Sequence, residues 1–208
     1  MRHRASVVFH TILILLGFGF AAQIVSAQAQ YNYQTIDNAK AAPPGLGETA
    51  GTQAHGINNT GTIVGVYTGS GNTFHAFRGQ NGNFTTDDFD PACSFSCGTE
   101  ANAINSSGEI VGDVTDEAGN THGYYEIGGS FHLIDYPGAF LTLAEGVNDS
   151  GLVVGFYVDS SNVSHGFTLA SGQTTPTPFD CSGGTNTVLY GVNNKGDMVG
   201  TCSSGAFK

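Results

Sequence analysis

GINNTGTIVGVY, residues 56–67, is written three more times along the chain: AINSSGEIVGDV (103–114), GVNDSGLVVGFY (146–157) and GVNNKGDMVGTC (191–202). Each copy sets an Asn-x-x-Gly turn between two short apolar runs. An Asn side chain can bond its own backbone two residues on, and the Gly tolerates positive φ, so the stretch predicts a hairpin. The glycines closing the turns, Gly61, Gly108, Gly151 and Gly196, fall at intervals of 47, 43 and 45 residues. A period near 45 holds four short strands and their turns, which makes a propeller blade the first candidate.

Working outward, the first unit divides into HGIN (55–58), TIVGVY (62–67), TFHAFR (73–78) and FTTDDFD (84–90). The third divides into AEGVN, LVVGFY, SHGFTL and TTPTPFD. Links after the fourth strand, such as PACSFSCGTEA and PGAFLTLAE, are longer and open with Pro, which cannot continue a ladder. They suit a crossing from the outer edge of one blade to the inner start of the next. The units then run over 55–90, 101–136, 144–180 and 188–208, and the last is one strand short. YQTID (33–37) resembles FHLID (131–135) and has no hairpin before it. The predicted fold is therefore all-β, a four-bladed propeller whose last blade is completed by the N-terminal strand. An open β-repeat array and a β-sandwich are the alternatives. The second strands are apolar on both faces, as a sheet sandwiched between neighbours requires, and Gly65, Gly112, Gly155 and Gly200 mark close backbone approach.

Residues 1–27 are expected to be an export signal. Arg2 and Arg4 precede an apolar run from Val7 to Ala22, and Val25-Ser26-Ala27 offers a cleavage site. Residues 28–208 then form one repeat domain in an extracellular or periplasmic, oxidising compartment. Removing Arg2 and Arg4 leaves four basic residues against 17 acidic ones, a formal charge of −13. A surface this negative repels phosphate backbones and anionic lipid, excluding nucleic acid and, after cleavage, the membrane as partners. Four cysteines, Cys93, Cys97, Cys181 and Cys202, allow three disulfide pairings.

The repeated Gly-Ile-Asn-x-x-Gly-x-Ile-Val-Gly, followed by His75-Ala76-Phe77, resembles the bacterial extracellular HAF-repeat family. His122-Gly123-Tyr124, His165-Gly166-Phe167 and Gly205-Ala206-Phe207 are degenerate copies of the tripeptide. The resemblance covers residues 33–208 and implies a secreted repeat protein. Its fourth copy lacks the His, so no chemistry can need all four.

His75, His122 and His165 are expected to hydrogen-bond neighbouring backbone at the start of each third strand. Asp37, Asp90, Asp135 and Asp180 recur at the ends of the outer strands, where Asp accepts backbone N–H groups. Strand direction places the second-to-third turns and the crossover links on one face of the molecule, and that face collects most of the carboxylates. Asp116, Glu117 and Asp159 are the candidates there for Ca²⁺, a hard cation served by oxygen ligands; otherwise no cofactor is expected. Ser and Thr sit in turns with no nucleophile elbow, and Asp87 and Asp88, adjacent in a strand, point to opposite faces, so no catalytic residue is assigned. The expected function is a non-catalytic module that binds a glycan, an envelope component or a protein. An extracellular polysaccharide hydrolase or lyase, and a structural or adhesive module, are the alternatives.

Overall fold

The computed structural model describes residues 3–6, 30–33, 35–41, 51–89 and 98–208. All regular elements among them are β-strands, in two compact units, residues 1–36 and 37–208. In the first, β1 (His3–Ser6) pairs antiparallel with β2 (Gln30–Tyr33).

The second unit contains the repeats. The first is a four-stranded antiparallel meander, β3 (Thr52–Ile57), β4 (Ile63–Thr68), β5 (Phe74–Gln80) and β6 (Asn83–Thr86). The second repeats it with β7 (Gly98–Ile104), β8 (Ile110–Thr115), β9 (Thr121–Ile127) and β10 (Ser130–Ile134). The third does so with β11 (Leu141–Val147), β12 (Val153–Val158), β13 (Ser164–Leu169) and β14 (Thr177–Phe179). A single parallel bridge, Leu141 to Thr121, joins the second and third meanders into one eight-stranded sheet. The fourth comprises β15 (Val188–Val192), β16 (Met198–Cys202) and β17 (Gly205–Phe207).

The repeated hairpin sequence is explained by two devices. Asn58 Oδ1 accepts the N–H groups of Thr60 and Thr62 at 3.1 and 3.0 Å, and Asn105, Asn148 and Asn193 do the same in their turns. Gly61, Gly108, Gly151 and Gly196 follow with φ of 83°, 86°, 74° and 83°, a region that costs an L side chain energy. The second device is a β-bulge in each first strand, between Ala54 and Gly56, Ala101 and Ala103, Ala144 and Gly146, and Leu189 and Gly191. Beside it a carbonyl presses onto the paired strand: Gln53 O on Gly65, Glu100 O on Gly112, Leu143 O on Gly155 and Val188 O on Gly200. A Cβ at any of these glycines would overlap that oxygen, so the close approach expected at these positions comes from the unit's own first strand.

Units two to four each pack their first strand on the sheet before it. Strand β7 lies on β3, β4 and β5; β11 lies on β7, β8 and β9; β15 lies on β11, β12 and β13. One core forms between units one and two from Val64, Ala76, Ala101, Ile110 and Tyr124. A larger one between units two and three contains Val111, Ile134, Val153, Tyr157, Phe167 and Leu169. Asparagines link the turns: Asn58 Nδ2 donates to the Asn105 carbonyl (3.2 Å), Asn105 Nδ2 to Asn148 (3.0 Å) and Asn148 Nδ2 to Asn193 (3.0 Å).

The sheets do not close. Among the described residues no comparable packing joins β15–β17 to β3–β6, and the fourth sheet has three strands. The predicted completing strand is not formed as expected. Tyr33 pairs with His3 in β2, Thr35–Asn38 carry no strand, and Gln34 lies outside the described residues. The physical reason is in the residues: Asp37 and Asn38 start a turn, in which Asn38 Oδ1 accepts the Lys40 N–H at 3.0 Å, and that removes them from ladder geometry. The expected signal segment lies, apart from β1, outside the described residues.

Cys181 and Cys202 form a disulfide with 6.6 Å between their Cα atoms, tying the end of unit three to β16. Cys93 and Cys97 lie outside the described residues.

Candidate functional site

In units one to three the second-to-third turn and the end of the outer strand meet at one edge of the meander, with a histidine between them. His122 Nδ1 lies 2.7 Å from Asp135 Oδ1, and its Nε2 lies 3.5 Å from Asp116 Oδ2. His165 repeats this with Asp180 (3.0 Å) and Asp159 (3.5 Å). In unit one His75 Nδ1 lies 2.8 Å from Asp88 Oδ2, and Thr73 Oγ1 takes the other side at 2.8 Å from Nε2. The imidazoles also stack: His75 on Tyr67 at 5.0 Å and His165 on Tyr157 at 5.1 Å between ring centres.

These partners differ from the expected ones. The histidines bond carboxylates and not backbone, because the outer strand's terminal Asp comes level with the start of the third strand. In unit one that Asp is Asp88, which also accepts the Ala76 N–H at 3.0 Å; Asp90 lies outside the described residues. Spacing carries the signal, since Asp follows His by 13 residues in units one and two and by 15 in unit three. Asp37, exposed at the start of the second compact unit, joins no such pair in that unit. Asp87 and Asp88 diverge, Asp87 Oδ1 accepting from Arg78 Nη2 at 2.7 Å.

Electrostatics follow from this geometry. Bonds from Asn120 hold the Asp116 carboxyl down at about 2, helped by His122 and the Ala118 N–H. Burial lowers the His122 pKa, but Asp135 and Asp116 outweigh it and the net direction is upward; the Asp180 hydrogen bond leads the upward shift of His165. Burial raises Asp88 despite His75. Asp116 and Asp159 already spend their oxygens on local N–H groups, and Glu117 is exposed beside Asp116. Among the described residues no three His, Cys, Asp or Glu side chains converge as a metal site.

Units one and two part at this edge to leave a cleft of about 470 Å³. Phe74, Phe89, Val114 and Leu133 supply its apolar wall, and His75, Asp88, Asp116, Glu117 and His122 its polar rim. That volume suits a small ligand, and an apolar wall with a few converging polar groups is the usual make-up of a binding site. Sequence reasoning took Asp116 and Glu117 as Ca²⁺ candidates and His75 and His122 as structural, set Asp88 aside because it diverges from Asp87, and did not flag Phe74 or Phe89. Only the packing of β7 on β5 brings the two sets together.

No family model matches the chain, and no curated protein matches it in sequence. No helix among the described residues is long and apolar enough to cross a membrane. The disulfide fits an oxidising, non-cytoplasmic setting.

Proposed function

We propose that the protein is a secreted, non-catalytic module that binds a glycan in the cleft between its first two repeat units. The observation that carries this reading is the cleft's composition, aromatic and aliphatic on one side and carboxylate and imidazole on the other. A sugar presents an apolar C–H face and vicinal hydroxyls, and such a wall supplies a ring to lie against and acceptors for the hydroxyls. The acidic rim favours neutral or cationic glycans over sulfated or uronate ones.

The order Thr73–His75–Asp88, hydroxyl to imidazole to carboxylate, favours a hydrolytic second reading. Its recurrence with Asp116 and Asp159 in the place of Thr73 supports an architectural role for the motif. A glycan array followed by calorimetry separates the two. Expected is saturable binding without product release, weakened roughly tenfold or more by Phe74→Ala, in line with the loss of one aromatic contact. An array without hits, or an affinity indifferent to Phe74→Ala, overturns the reading. Product release abolished by Thr73→Ala establishes the hydrolase.

A further inference from the structure

Among the described residues the unit-to-unit interface is made three times, and half of it is left exposed at units one and four. The Val of the second strand, Val64, Val111 or Val154, is 0% exposed where the next unit's first strand covers it, whereas its counterpart Val199 is 47% exposed. A Cβ at Gly56 would meet Ala103 of unit two, and one at Gly146 would meet Gly191 of unit four, but one at Gly191 would meet only Val199. At the other end Ala101, Ala144 and Leu189 are fully buried by the preceding unit, while their counterpart Ala54 is exposed and Ile57 is 67% exposed. The asparagine ladder runs out in the same way. Asn193 Nδ2 keeps the own-turn bond, to Asp197 at 3.0 Å, that Asn105 makes to Glu109, but among the described residues it reaches no further carbonyl, and the Asn58 carbonyl receives the Gly61 N–H but no asparagine.

We propose that the open face of unit four docks on the open face of unit one of a second copy of this chain, continuing the interface that units one to four already make. The two faces are complementary because each is one half of a contact the chain forms internally three times. A second copy supplies both halves in the correct register: Val199 covered by the Ala54 strand, and Asn193 Nδ2 donating to the Asn58 carbonyl. The contact is head-to-tail, so each copy added presents a fresh face, and association proceeds until a ring closes or a filament forms.

Sedimentation velocity on the chain purified from a secreting host, over a range of concentrations, tests this. The weight-average mass should rise with concentration to at least twice that of one chain. Val199→Asp and Ile57→Asp, both at exposed positions, should each give a folded monomer whose cooperative unfolding no longer depends on protein concentration, as that of the associating wild type does. Mixing the two variants should restore a dimer and nothing larger, since each keeps the face the other lacks. A wild-type chain monomeric at every concentration, or association that survives either substitution, overturns the proposal.

Discussion

The most consequential single side chain is Arg78. It donates to Asp87 and reaches across the first inter-unit boundary to Glu126 Oε2 at 3.2 Å. Glu126 is 0% exposed, and its other oxygen accepts the Gly129 N–H. Removing one partner of a buried ion pair strands the other charge, so Arg78→Ala should cost about 3–5 kcal/mol in urea unfolding. Arg78→Ala with Glu126→Gln should recover most of that. Asp113 acts in the opposite sense. Burial, and then the charges of Glu100 and Glu145, raise its pKa from 3.8 to about 7, against one hydrogen bond from Asn102. The folded protein therefore binds a proton that the unfolded chain has released, and this stability is present at low pH and lost as pH rises from 3.8 through about 7. His122 and His165, with raised pKa values, likewise stabilise below 6.5 and lose that contribution as pH climbs through their folded values. The thermal-unfolding midpoint should thus fall from mildly acidic to alkaline pH, and Asp113→Asn should flatten the profile and stabilise most at its alkaline end, by an amount of order 1–4 kcal/mol. None of this was legible in the sequence. Nothing in the strand patterns around Glu126 and Asp113 sets these carboxylates apart, and only the packing that buries them makes them costly.

At the scale of the element, the hairpin does two jobs, and two equivalent substitutions separate them. Asn105→Ala and Asn193→Ala each remove an Oδ1 that accepts two backbone N–H groups in its own turn. Asn105, buried, also donates to the next unit and accepts the Ser107 hydroxyl, whereas Asn193, exposed, donates only to Asp197 within its own turn. Asn105→Ala should therefore be the more destabilising by about 2 kcal/mol, the net value of two hydrogen bonds, in paired chemical denaturations. The local job was plain in the sequence, because Asn-x-x-Gly has a self-contained turn chemistry. The bond to the next unit was not, because it joins residues 43 to 47 apart and follows from stacking alone. The outer strands illustrate the same limit. FTTDDFD extends to Asp90 in the sequence reading, but β6 stops at Thr86; Asp87 keeps one backbone bond, to the Ala76 carbonyl, while its carboxylate serves Arg78 and that of Asp88 serves His75.

For the whole molecule, the sequence reading set the number of units and their phase, and the four meanders fall close to where the 45-residue period put them. It failed on closure. Repeat number is written in the sequence, but the angle between successive sheets is set by how closely the backbones meet at each interface, as at Gly146 against Gly191, and small residues there carry no message about angle. The open row of sheets, the cleft at its first boundary and the free faces at its ends all depend on successive units meeting through their first strands. A NOESY spectrum of the labelled protein tests that arrangement most directly. The account predicts strong cross-peaks between the backbone protons of Gly56 and Ala103 and between those of Gly146 and Gly191. Their absence from a folded, fully assigned spectrum, with first strands in contact only within their own hairpins, would contradict it.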